Sequence, residues 1–217
     1  LSSAASDVYK RQRMDRTGVA GIAKDGGTMD HVYLEDLYIH DIDGNLQDKH
    51  MDNGGIQFNV SKPTDESKTG IARYNDVKIT NCYVKDVKRA GIVVGYTYQH
   101  SKFNGAQIAD ETVQKYGHTN IYIADNYVQN SGNDAIVAMY AYRPVIERNI
   151  SDTAGVDLDD GYAGYWQSFC ATIWPWKTKD AVFQYNEAFD TVGEGNGDGQ
   201  AWDIDWSDGT VYQYNYS

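Results

Sequence analysis

Cysteine, proline, basic residues and long apolar runs are all scarce in this sequence, and each scarcity closes off a class of protein. Cys82 and Cys170 are the only cysteines in 217 residues; they make neither a disulfide scaffold nor a metal motif, and each sits on or beside an expected strand as a small buried thiol. Three prolines leave no room for a polyproline segment. No apolar run approaches the roughly 20 residues of a membrane-spanning helix, so membrane insertion is not expected. A net charge of -12 repels a phosphate backbone, so nucleic acid is not an expected partner. The histidines His31, His40, His50, His100 and His118 show no ligand spacing, and no metal site or cofactor is read from them.

What the sequence does have is a repeat. The stretch Val77 to Gly95, VKITNCYVKDVKRAGIVVG, reads as three short strands with two polar corners between them. Matching first strands begin at Val32, Val77, Ile121, Val145, Val182 and Val211. Four residues after each stands Asp36, Asn81, Asp125, Asn149, Asn186 or Asn215. Asn and Asp tolerate left-handed geometry and bond nearby backbone, so they suit a tight corner and can stack from turn to turn. The third strands align Ile56 with Ile92, Ile136, Thr172 and Trp202, and Phe58 with Val94, Ala138, Trp174 and Ile204, as inward columns. Parallel turns stacked at about 4.8 Å with right-handed crossovers give an all-β fold, a single-stranded right-handed parallel β-helix of about five to six coils with loop insertions.

Residues 1–12, LSSAASDVYKRQ, resemble a translated sequencing-adapter remnant and are set aside. Residues 13–217 then read as one partial β-helix domain, truncated at the C-terminus, where YQYNYS stops inside a first strand, and at the N-terminus. Ser61 to Arg73 reads as a solvated loop, and Tyr96 to His118 as a longer excursion with a short helix near Ile108 to Tyr116. A monomer is expected.

The last third differs in character. Residues 151–217 hold twelve carboxylates against Lys177 and Lys179, and all five tryptophans, Trp166, Trp174, Trp176, Trp202 and Trp206. Outward residues of stacked turns line a groove suited to an extended polymer; carbohydrate is gripped by aromatic faces and cleaved by paired carboxylates. In GDGQAWDIDW, with Trp202, Ile204 and Trp206 inward, Asp203 and Asp205 point outward together, their Cβ atoms about 7 Å apart. Asp198 with Asp205 is a second pairing, which needs the corner to fold back because seven extended residues span more than about 20 Å. The competing reading of each acid is a corner bond or a solvated face. Trp166 and Trp176 are candidate sugar platforms, with Tyr165 and Asp134 as further candidate substrate contacts. VDLDDG, at 156–161, lacks the spacing of an EF-hand loop and reads as an exposed insertion.

The V-x-x-x-N corners, the segment GNDAIVAMYAYRPVIERNI and the stretch DGQAWDIDWSDGTVYQYNYS resemble the secreted bacterial right-handed β-helix proteins of the pectate-lyase-like superfamily. Within it they are similar to the lacto-N-biosidase type of glycoside hydrolase. The resemblance implies a retaining exo-type glycosidase acting outside the cell or at its surface, with Asp198 as acid/base, Asp205 as nucleophile and Asp203 as a substitute in either role. The expected partner is an oligosaccharide or polysaccharide. Two alternatives remain at this point: a calcium-dependent polysaccharide lyase, which needs a basic residue that residues 151–217 scarcely supply, and a non-catalytic glycan-binding surface protein.

Overall fold

Residues 15–45, 53–105, 108–156, 170–193 and 198–217 are described by the structure, a computed structural model. The first coil contributes β1 (Thr17–Ala23), β2 (Thr28–Glu35) and β3 (Tyr38–Ile42); the second, β4 (Gly54–Val60), β5 (Arg73–Thr80) and β6 (Tyr83–Val87). The third holds β7 (Ala90–Tyr96), β8 (His118–Ala124) and β9 (Tyr127–Ser131). Then follow β10 (Ile136–Met139), β11 (Ala141–Tyr142), β12 (Val145–Glu147) and β13 (Ile150–Ala154). The last coils supply β14 (Ala171–Trp176), β15 (Val182–Gln184), β16 (Glu187–Thr191), β17 (Gln200–Trp202) and β18 (Val211–Gln213). Two short helices sit in the excursions, α1 (Glu66–Thr69) and α2 (Asp110–Tyr116), the second where the sequence predicts one.

Every strand pairing among the described residues is parallel, and the strands sort into three sheets. The third-strand sheet runs β1-β4-β7-β10-β14-β17, the first-strand sheet β2-β5-β8-β12-β15-β18 with β11 beside β8, and the second-strand sheet β3-β6-β9-β13-β16. This is the right-handed parallel β-helix that the repeat predicts. Its interior is a set of apolar columns: Val77 and Ile79 lie under Ile121 and Ile123, and Ile56 under Ile92 and Ile136. β-Branched side chains dominate because a flat, twice-covered strand accommodates their restricted rotamers.

Two alignments made from the sequence are off by one residue. Val145 pairs with Tyr122 instead of Ile121, so Ile146, Phe183 and Tyr212 continue the column of Ile123. Ile136 pairs with Ile173 instead of Thr172, which sets Trp174 opposite Val137, not Ala138. Ile204 and Trp206 also depart from the inward assignment: both are exposed, and among the described residues β17 is the last strand of its sheet.

The slip at Val145 exposes how the corners work. Asp36, Asn81 and Asp125 are left-handed, with φ of 57°, 54° and 57°, and so are Arg148, Tyr185 and Tyr214 at the same corner of later coils. The stacked ladder occupies the next residue. Asn126 Nδ2 donates to Asn149 Oδ1 at 2.9 Å, Asn149 Nδ2 to Asn186 Oδ1 at 3.0 Å, and Asn186 Nδ2 to Asn215 Oδ1 at 3.1 Å. The same oxygens accept the backbone N–H of Asn126, Asn149 and Asn186, while the amides also donate to Ile79, Ile123 and Ile146 carbonyls. Cys82 N–H ends the ladder on Asn126 Oδ1 at 2.9 Å. Each buried carboxamide thereby satisfies backbone groups that no strand pairing reaches.

The excursion between β7 and β8 packs an aromatic cluster on the solenoid flank. His118 is fully buried; its Nδ1 accepts Tyr74 N–H at 3.0 Å, which leaves Nε2 to donate to Gly95 O at 3.2 Å. Burial pulls its pKa down to about 3, and that of His100, ringed by Tyr96, Phe103 and Tyr140, down to about 4.

Two predictions follow from these buried polar groups. Asn149→Ala strips an acceptor from Asn126 and a donor from Ile123 O and Asn186, and should lower the unfolding free energy by about 3 kcal/mol in a urea titration; a change below about 0.5 kcal/mol would mean the ladder is not structural. Both histidines bind protons more tightly when unfolded than when folded. Their stabilising effect is complete above the ordinary value of 6.5 and fades as pH falls towards the native values. Between pH 6.5 and 5, above the carboxylate range, stability should fall by up to about 1.4 kcal/mol per pH unit for each histidine. A flat profile over that window would contradict their burial as neutral rings.

Candidate active site

The acidic stretch lies at the last coil of the third-strand sheet. Asp205 pairs with Trp176 and so extends the column of Met139 and Trp176. Its backbone is bracketed by the coil below: Asp205 N–H donates to Pro175 O at 3.3 Å, and Lys177 N–H donates to Asp205 O at 3.0 Å. Asp205 is exposed. Two residues earlier, Asp203 Oδ1 accepts the N–H of Ile204 at 2.8 Å, a local Asx bond. The Asp203 carbonyl accepts Tyr212 Oη at 2.7 Å, and burial pushes the Tyr212 phenol pKa up. Tyr212 and Trp202 share a cleft of about 310 Å³ with Gln213, Tyr214 and Asn215.

Asp198 is exposed on the N-terminal side of β17, and four residues, Gly199 to Trp202, separate it from Asp203. Gly193 and Gly199 approach so closely that a Cβ on Gly193 would fall 2.1 Å from Asp198 O. Asp198 also stands near the buried Cys170, whose thiol pKa is raised first by burial and then by the charges of Asp134 and Asp198.

Asp134 is buried at the corner before β10. Its Oδ1 accepts Ala171 N–H and Trp174 Nε1–H, each at 3.1 Å, and so fixes the start of β14 and the Trp174 ring. Trp176 is half-buried against Tyr140. Tyr165, Trp166 and most of VDLDDG lie outside the described residues, as do 194–197 of the glycine-rich corner.

The outward face of the sheet is not the continuous groove that the repeat predicts. Gln57, Asn59, Val93, Val137, Met139 and Trp174 are all buried, and exposure begins at Trp176 and continues into Asp205 and Trp206. Another aromatic row, Tyr38, Tyr83 and Tyr127, stacks ring on ring at 4.9 and 5.1 Å, so its ring faces largely cover one another.

Sequence reasoning missed Lys177. It is buried, its Nζ donates to Phe103 O and to Gly105 O at 3.5 Å, and it faces the Trp206 ring at 4.9 Å; burial lowers its pKa. The signal available was only its place four residues after Ile173 at a strand end.

No family model matches the chain. A lacto-N-biosidase of Bifidobacterium longum subsp. longum is 48% identical to it over 223 aligned positions, which cover 94% of this chain and 14% of that protein. The chain is related to the lacto-N-biosidases. Two crystal structures of the GH136 lacto-N-biosidase from Eubacterium ramulus, native and selenomethionine-substituted, superpose with TM-scores of 0.85 and 0.84 at 49% identity. They match 95% of this chain and 34% of theirs, so the chain spans a minor part of each lacto-N-biosidase it resembles.

Asp134→Ala should unseat Trp174 and leave Ala171 N–H unpaired, lowering stability by about 1–3 kcal/mol in denaturant unfolding. An unchanged midpoint would remove the structural role given to Asp134.

Proposed function

We propose that this chain is part of a glycoside hydrolase that cleaves an oligosaccharide or polysaccharide of the lacto-N-biose type. The observation that carries the reading is identity of 48–49% with lacto-N-biosidases across nearly the whole chain. In this reading a carboxylic acid protonates the leaving glycosidic oxygen, and a partner carboxylate attacks the anomeric carbon to form a glycosyl ester that water then hydrolyses. Asp198 is assigned as acid/base and Asp205 as nucleophile, with Asp203 as the substitute in either role. Trp176 supplies a sugar-stacking face beside Asp205, and Tyr165 and Trp166 are the further substrate contacts. Asp134, the other residue expected to bind substrate, is buried and bonded to the buried Trp174, so its part in this reading is to hold that ring in the wall. The working location is outside the cell or at its surface, where such glycans are met.

A lyase would need a base near the acids. Lys177 is the cation whose backbone touches Asp205, but its ammonium is buried and bonded to two carbonyls, which speaks against that chemistry.

The test is the full-length protein assayed on lacto-N-biose-containing and plant glycans, with and without chelator. Asp205→Asn and Asp198→Asn should each reduce kcat by about 10² to 10⁴-fold with unchanged melting. Full activity in both variants would end the assignment of this pair. Chelator-sensitive release of an unsaturated product would establish a lyase, and binding without turnover a glycan-binding protein.

A further inference from the structure

A buried ammonium is expensive to keep dry, and Lys177 has no carboxylate beside it among the described residues to offset that cost. Its nitrogen is held instead by two carbonyl oxygens of the excursion, Phe103 O and Gly105 O, and by the face of the Trp206 indole. The backbone there is strained as well. Tyr140, Lys177 and Trp206 have φ of 51°, 52° and 52°, left-handed values that bulky residues rarely adopt, and they occupy corresponding strand-end positions in three successive coils. Strain and desolvation thus coincide at the residue whose N–H donates to Asp205 O.

We propose that Lys177 is a positioning residue for the Asp205 carboxylate. Its main chain fixes Asp205 from below, and its side chain fixes the residue that follows Asp205, Trp206, by a cation over the ring. Because the same ammonium grips 103–105, the excursion and the acidic coil become one rigid wall. Asp205 follows the three-residue strand β17 and bridges to Trp176, and displacement of a reacting group by 1 Å can cost about 10²-fold in rate. The inference rests on the glycosidase reading and deepens it by naming what aims the nucleophile.

The experiment compares Lys177→Met, Lys177→Arg, Trp206→Leu, Trp206→Phe and Asp205→Asn in the full-length protein. Lys177→Met keeps the length of the side chain and removes the charge. Its kcat should fall about ten- to a hundredfold with KM within about twofold. The emission component lost in Trp206→Phe should shift in Lys177→Met, and Lys177→Arg should recover part of kcat, since a guanidinium can also reach carbonyls and stack on indole. A Lys177→Met enzyme with kcat within about twofold of the parent overturns the proposal, as does a loss of kcat with no change in the Trp206 emission. Should Lys177→Met not fold, Trp206→Leu decides: lowered kcat supports the inference, and unchanged kcat overturns it. Asp205→Asn separates the two readings. If it is fully active, the assignment of Asp205 fails and takes this inference with it; if it is inactive beside a fully active Lys177→Met, only the role of Lys177 falls.

Discussion

The stack of carboxamides at Asn126, Asn149, Asn186 and Asn215 is the interaction on which the rest of the solenoid depends. A corner that turns the chain out of one sheet and into the next frees backbone groups from strand pairing, and buried groups of that kind must find partners. Each Asn answers the need of the coil beneath and passes the same need upward. The ladder therefore fixes the axial register of the later coils. A one-residue slip would move each carboxamide out of line and rotate the inward columns to the opposite face.

That corner is invariant while the other two are not. Only two residues connect β2 to β3, β5 to β6, β8 to β9, β12 to β13 and β15 to β16. Between equivalent corner residues the chain nevertheless runs for 45, 44, 23, 37 and 29 residues. All of the variation falls at the corners that flank the third-strand sheet, where α1, α2 and the buried aromatic cluster are found. The same sheet ends in Asp203 and Asp205. Long connections and candidate chemistry share one side of the molecule, and the tight corner lies away from both.

Much of this was legible in the sequence, and the failures have physical causes. Val77, Ile79, Ile92 and Ile121 announce the strands because their alternation has period 2 and their corners are polar. Asn149 misled, since its spacing from Val145 copies that of Asn81 from Val77, yet Asn81 is a left-handed corner residue and Asn149 belongs to the ladder one step later. Two adjacent positions both favour Asn for different reasons, and spacing alone does not separate them. Trp206 read as core because it continues the alternation of Trp202 and Ile204, but it is left-handed and exposed beyond the last described strand of its sheet. Lys177 was hidden for a different reason: a buried cation is recognised by what surrounds it, here carbonyls from a segment more than seventy residues earlier in the chain. Of the candidate site, the acids could be named from their outward pattern, while the closed face below them could not, because burial of Gln57 and Asn59 depends on connections whose path the repeat does not encode.

The two-residue corner separates folding from recognition. A spine that is gripped on one edge tolerates remodelling on the opposite side, so connections there can be exchanged, lengthened or trimmed while the pitch of the scaffold stays the same. Differences in glycan preference between molecules built this way would then reside in swappable flanking segments, and grafting one such segment onto another spine becomes a reasonable route to altered selectivity.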